Sequence, residues 1–120
     1  MSASINLAEK FALFDDTWAP KVIAAMNDYQ IKLVKIEGEF VWHRHADTDE
    51  LFLCVDGAFD IEFRDGVTTV KAGELCIVPK GVEHKPVAKE PCQVIIIEPT
   101  GVVNTGDAET ERTAPNDQWI

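Results

Sequence analysis

From Val22 to Glu98 the chain runs in short segments rich in Val, Ile, Leu and Phe. They are separated by Asn27-Asp28, Asp56-Gly57, Asp65-Gly66, Ala72-Gly73 and Lys80-Gly81. Phe59, Ile61 and Phe63 alternate with Asp60 and Glu62, the period of a strand with one buried and one wet face. Asp-Gly between such segments favours a tight hairpin, because those residues accept the left-handed backbone that the turn needs. Many short strands with regular turns predict an all-β sandwich or barrel. Ahead of them, Asn6 can cap a short helix, with Glu9 three residues on as in a capping box. Phe11, Leu13 and Phe14 are expected on its buried face, and Asp15-Asp16-Thr17 ends it. The segment from Thr100 to Ile120 is polar and rich in turn formers, which predicts irregular structure draped over the barrel or a neighbour. The expected organisation is one domain over 1–120, with a barrel core at about 22–99.

Composition narrows the function classes. A chain of 120 residues suits one domain and can bury a core without metal or disulfide staples. Its net charge of -10 repels phosphate backbones and anionic membranes, so neither is an expected partner. Ile5 to Lys10 is too mixed for a secretory leader. The longest aliphatic runs, Leu51 to Val55 and Val94 to Ile97, are too short to span a bilayer. Cys54, Cys76 and Cys92 are odd in number and lack a C-x-x-C pair, which predicts reduced thiols in a cytoplasmic protein.

The candidate chemistry is concentrated. All three histidines fall in one pattern: His43, His45, then Glu50, then His84 beyond Pro79-Lys80-Gly81. Neutral imidazoles plus one carboxylate suit a single divalent first-row ion: Fe, Mn, Ni, Co or Zn. Strand parity puts His43, His45 and Val41 on one face, and Glu50, Phe52 and Cys54 on one face of the next strand. Val41, Phe52 and Cys54 are therefore expected to line an apolar pocket with the metal at its floor. A lone H-x-H or a lone strand glutamate carries little weight; the conjunction carries the reading. No general base stands out, and Glu83 and Glu98 are candidates by residue type only.

The order of these residues resembles the cupin family, whose first motif is G-x5-H-x-H-x3,4-E-x6-G. Gly38, His43, His45, Glu50 and Gly57 fill it, with four residues instead of five after Gly38. The second motif, G-x5-P-x-G-x2-H-x3-N, is filled by Gly73, Pro79, Gly81 and His84, with Ala88 in place of the asparagine. The resemblance covers about Val22 to Pro99 and implies a double-stranded β-helix, a jelly-roll barrel. It also implies that His43, His45, Glu50 and His84 bind one divalent metal inside that barrel. The flanking segments are similar to small single-domain cupins called mannose-6-phosphate-isomerase-like, a label that assigns no substrate. Two classes of function fit: a metalloenzyme of oxygenase or isomerase type acting on a small oxygen-bearing molecule, or a non-catalytic module that binds or senses one. Small cupins of this kind commonly pair, so a homodimer is expected, with Phe11, Phe14, Trp18 and Trp119-Ile120 available to bury against a partner. In the competing arrangement both flanking segments fold back on their own barrel.

Overall fold

The computed structural model describes residues 2–120. One short helix, α1 (Leu7–Phe11), precedes seven strands: β1 (Lys21–Met26), β2 (Tyr29–Glu39), β3 (Glu50–Asp56), β4 (Ala58–Phe63), β5 (Gly66–Lys71), β6 (Leu75–Val78) and β7 (His84–Pro99). They form one bent antiparallel sheet in the order β1-β2-β7-β3-β6, with β4 joined to β7 and to β5. This is the all-β architecture that the turn spacing predicts and the jelly roll that the resemblance implies.

Strand β7 holds the sheet together. Its first residues pair with β4, His84 opposite Phe63 and Val87 opposite Asp60. Its second half pairs with β2 on one side and β3 on the other, so Ile95 lies opposite both Leu33 and Leu53. Between these halves the register against β2 slips, from Cys92 opposite Ile36 to Ala88 opposite Gly38. Extra residues on one strand force a bend, and Gly38 takes it up with a φ of +83°. The bend curls the sheet around an interior.

Two apolar clusters follow. The inner one includes Val34, Ile36, Phe52, Ile61, Val94 and Ile96. The outer one includes Ile23, Leu33 and Ile95, closed over by Phe11 and Phe14. Val94 to Ile97 thus packs on both faces of the sheet, which explains an unbroken aliphatic run where other strands alternate. The cap of α1 forms as expected, the Asn6 side chain accepting from the Glu9 amide at 2.9 Å. Leu13 departs from expectation: the helix stops at Phe11, the chain turns, and Leu13 is left 64% exposed while Phe14 swings under.

The segment after Pro99 is irregular and packs on its own barrel. Asn104 donates to the carbonyls of Trp18 and Arg112, both at 2.8 Å, and accepts from the Ala114 amide at 2.9 Å. Thr105 is fully buried and bonds Thr113 at 2.8 Å. Trp119 forms a parallel bridge with Val22, and the Ile120 amide donates to the Val22 carbonyl at 3.1 Å. The open edge of β1 is covered in this way. Phe11, Phe14 and Trp18 are buried within the single chain, whereas Trp119 is exposed.

Candidate metal centre

Glu50 opens β3 and His84 opens β7. His43 and His45 do not sit on a strand as parity assumed. β2 ends at Glu39, and residues 40–49 are irregular apart from one bridge. In that bridge the amides of His43 and His84 donate to each other's carbonyls at 3.0 and 2.9 Å. The Gly81 amide donates to the His45 carbonyl at 2.8 Å, which ties the Pro79-Lys80-Gly81 turn to the other histidine. The backbone stays extended enough for both imidazoles to point inward while Arg44 points out.

The four side chains meet. One ligand atom from each of His43, His45, Glu50 and His84 lies within 4.8 Å of all the others, and all four residues are buried. Glu50 Oε1 is 3.2 Å from His45 Nε2 and 3.4 Å from His84 Nε2. Even so, these three atoms lack a partner in hydrogen-bonding geometry. His43 Nδ1 and His84 Nδ1 each lie against a backbone carbonyl, Val41 at 2.9 Å and Val82 at 3.0 Å. A carbonyl can only accept, so each Nδ1 carries the hydrogen and each Nε2 offers a lone pair. Burial pushes the His43 pKa down to about 4, helped by His84 and only partly offset by the Val41 carbonyl and Glu50. That ring is neutral at pH 7. Burial alone would raise Glu50, but the close approach of His45, His84 and Glu98 holds it well below the usual carboxylate range. Buried lone pairs that converge without donors are costly, and one divalent cation would satisfy them together. The donor set suits a single first-row ion.

A narrow cavity adjoins the centre. Its walls include Trp18, Phe40, Phe52, Ile96, Glu98 and Asn104. Space for the centres of water molecules amounts to about 30 Å³, room for roughly two of them. Phe52 is among its walls. Val41 and Cys54 are not. Val41 lies off any strand, so parity does not govern it; it packs against the inner cluster and lends its carbonyl to His43. Cys54 is four residues beyond Glu50, roughly 13 Å along an extended chain, and its thiol sits in the core 3.6 Å from that of Cys92.

Two neighbours of the centre were not placed by sequence reasoning, which offered Glu98 by residue type only. Glu98 is buried, its Oε2 held by Lys32 Nζ at 3.1 Å. Burial and the adjacent Glu50 raise its pKa well above the usual range, against the pull of Lys32. The other neighbour is a clasp from the C-terminal segment. The Asp107 side chain accepts from the Arg44 amide at 2.9 Å, and the Asp107 amide donates to the Arg44 carbonyl at 3.0 Å. Gly106, at φ +57°, lies so close that a Cβ there would overlap the Arg44 carbonyl and come within 3.2 Å of the His43 ring. The turn-like Asn104-Thr105-Gly106-Asp107 was the one visible sign of it.

Comparison with known proteins agrees with this geometry. The cupin domain model matches residues 31–98. A crystal structure of a cupin-2 domain containing protein from Shewanella frigidimarina is 62% identical, with a TM-score of 0.78, covering 79% of this chain and 93% of that one. The uncharacterized protein YdbB of Bacillus subtilis is 41% identical over 64 residues, 52% of this chain and 57% of the relative, so the match spans little more than half of that curated protein. Hydroquinone 1,2-dioxygenase from Sphingomonas, solved with 4-nitrophenol, is 22% identical with a TM-score of 0.69, covering 81% of this chain and 32% of that one, a likeness of fold alone. Fold, motif order and a family match over more than half the length converge: the chain belongs to the cupin family.

Proposed function

We propose that this cupin holds one divalent metal ion through His43, His45, Glu50 and His84 and is an enzyme of oxygenase or isomerase type acting on a small oxygen-bearing molecule. The observation that carries the reading is the convergence of buried, unpartnered His45 Nε2, His84 Nε2 and Glu50 Oε1 on one point. An ion held there supplies Lewis acidity, or dioxygen activation if it is iron. The chain's own part is to fix the donors and exclude water. Val41 and Val82 set the imidazole tautomers through their carbonyls. Phe40 packs edge-on against His43, ring centroids 5.3 Å apart, and Phe52 faces His84 at 6.1 Å. Glu98, on the cavity wall, is a group able to hold or pass a proton. The narrow cavity and the single carboxyl beyond the ligand set also suit the second reading, a non-catalytic module that binds or senses a small ligand.

Nothing in the cavity favours a sugar phosphate, because no Arg or Lys is among its walls. A cytoplasmic setting is supported by the three free thiols, and no helix is long and apolar enough to cross a membrane. A homodimer is supported by the other edge of the sheet. There β6 pairs with β3 alone and exposes Leu75 and Ile77.

Elemental analysis of protein purified without a metal-affinity tag tests the centre. We expect one first-row ion per chain, sharply reduced occupancy in His45→Ala and His84→Ala, and a surviving fold. Full occupancy in the His43→Ala/His45→Ala double variant would refute the assignment. Oxygen uptake and product formation across a panel of small hydroxylated and carbonyl compounds then separate enzyme from binder.

A further inference from the structure

The cavity beside the centre has room for roughly two waters, so anything larger needs a wall that moves. Many of its walls are strand residues fixed by sheet pairing, among them Val34, Phe52, Val94 and Ile96. Trp18 is different. It lies between α1 and β1, directly after the exposed Asp15, Asp16 and Thr17. Its own side chain is buried in the inner cluster and stacks on Phe40 at 4.7 Å, with an interplanar angle of 16°. A surface loop thus inserts a single large ring into the cavity wall.

That ring is held on a strained backbone. Trp18 has a φ of +60°, a left-handed conformation that bulky side chains rarely adopt. Such a residue persists only where its surroundings hold it there. Three hydrogen bonds do so. The Trp18 amide donates to the Lys35 carbonyl at 2.9 Å, and its indole Nε1 donates to the Glu37 carbonyl at 3.0 Å. Glu37 is left out of the β2–β7 ladder by the slip between Ile36 and Gly38, which frees its carbonyl for the indole. The third bond comes from the C-terminal segment: Asn104 Nδ2 donates to the Trp18 carbonyl at 2.8 Å. Asn104 also closes its own loop through Arg112 and Ala114, and the Arg112 guanidinium stands 5.9 Å from the indole. The irregular segment therefore bears on the strained wall residue.

Backbone strain at a cavity wall favours two states over one, because release of the restraint is itself downhill. Loss of the Asn104 bond lets the Trp18 backbone relax and the indole leave, and the cavity gains the room of that ring. We propose that Trp18 is a gate over the metal centre and that Asn104 is its latch. The proposal rests on the metal reading above and adds to it how the site is reached. The competing route is a separate cleft over residues 45–48 and 101–107, which touches one of the four side chains, His45.

A gate speeds entry and exit alike and leaves the equilibrium between them unchanged, whereas a displaced ligand set changes the equilibrium. The test follows azide, close in size to what the closed cavity takes, by stopped flow on the full chain loaded with Co(II), whose visible bands report binding at the ion. Asn104→Ala removes the latch. Trp18→Gly removes the ring and suits the left-handed backbone. We expect both variants to speed azide association and dissociation about ten-fold or more, the effect of one hydrogen bond on an opening equilibrium, with Kd changed less than about three-fold. Wild-type rates in both variants would overturn the proposal and assign the traffic to the cleft at His45. A change carried by one rate alone would overturn it as well. If Trp18→Gly misfolds, Asn104→Ala decides by itself. Acrylamide quenching reads the gate without metal: in a Trp42→Phe/Trp119→Phe chain Trp18 is the sole tryptophan. Its quenching should be weak and should rise several-fold when Asn104→Ala is added; no rise would overturn the latch. If the wild type takes up no Co(II), the metal reading fails separately and the quenching result decides the gate.

Discussion

His43 shows how burial sets chemistry at a single residue. Its pKa of about 4 means that the folded, metal-free chain resists a proton which the unfolded chain accepts near the ordinary histidine value of 6.5. The stabilisation is therefore fully present above about pH 6.5 and is lost as pH falls towards 4, to a total of about 3 kcal/mol. Glu50, held low, adds to the acid sensitivity at lower pH. Glu98, held high, works in the opposite direction, its contribution lost as pH rises. Urea midpoints of metal-free protein between pH 4 and 7 should fall with acid, and His43→Gln should flatten the slope. A variant slope equal to that of the wild type would show that His43 is not buried as described. The cluster of His43, His45, Glu50 and His84 was legible from spacing and motif order, because three imidazoles and one carboxylate in that order have little other use. Glu98 was not, since its meaning depends on Lys32, 66 positions earlier.

At the scale of elements, the segment that carries His43 and His45 has little regular structure of its own. It is held by the His84 bridge, by Gly81 and by the clasp at Asp107. Gly106→Ala should push the Arg44 carbonyl outward and displace the His43 ring. We expect metal affinity to fall by ten-fold or more, with a smaller effect on the melting of the metal-free barrel, because the clasp lies outside both apolar clusters. Metal titration beside thermal melting checks this; unchanged affinity would show that the clasp does not position the ligands. Turns and hairpins were readable because Gly and Asp mark them locally, and the β4–β5 hairpin, with Phe63 opposite Gly66, sits where Asp65-Gly66 predicts it. The split duty of β7 was not readable. Its bend arises from a slip in pairing against β2, which no local pattern encodes.

For the whole molecule, the two flanking segments differ from the simplest expectation. They cover the β1 edge and the outer face of their own barrel, so the aromatic residues at the N-terminal end are already buried. On β6, Leu75 and Ile77 are 58% and 53% exposed on an unpaired edge, while Leu13, Met26, Val67 and Trp119 are exposed elsewhere. A symmetric pair would bury that edge. Light scattering at micromolar concentration should give about twice the 13.3 kDa of one chain. Leu75→Glu/Ile77→Glu should return the mass to a single chain without loss of metal. A wild-type mass near 13.3 kDa would refute the dimer.

The position of β7 has a consequence in time. It is the last strand in the sequence, yet it joins β2, β3 and β4. Until it emerges from the ribosome, only the β1–β2 and β4–β5 hairpins and the β3–β6 pair can form. Such long-range closure is slow, and His84 arrives with it. The nascent chain can therefore present His43, His45 and Glu50 but not a complete centre. An ion held by all four side chains would be chosen by a barrel that has already closed, so its identity would follow from the metals available after synthesis and not from those met during it.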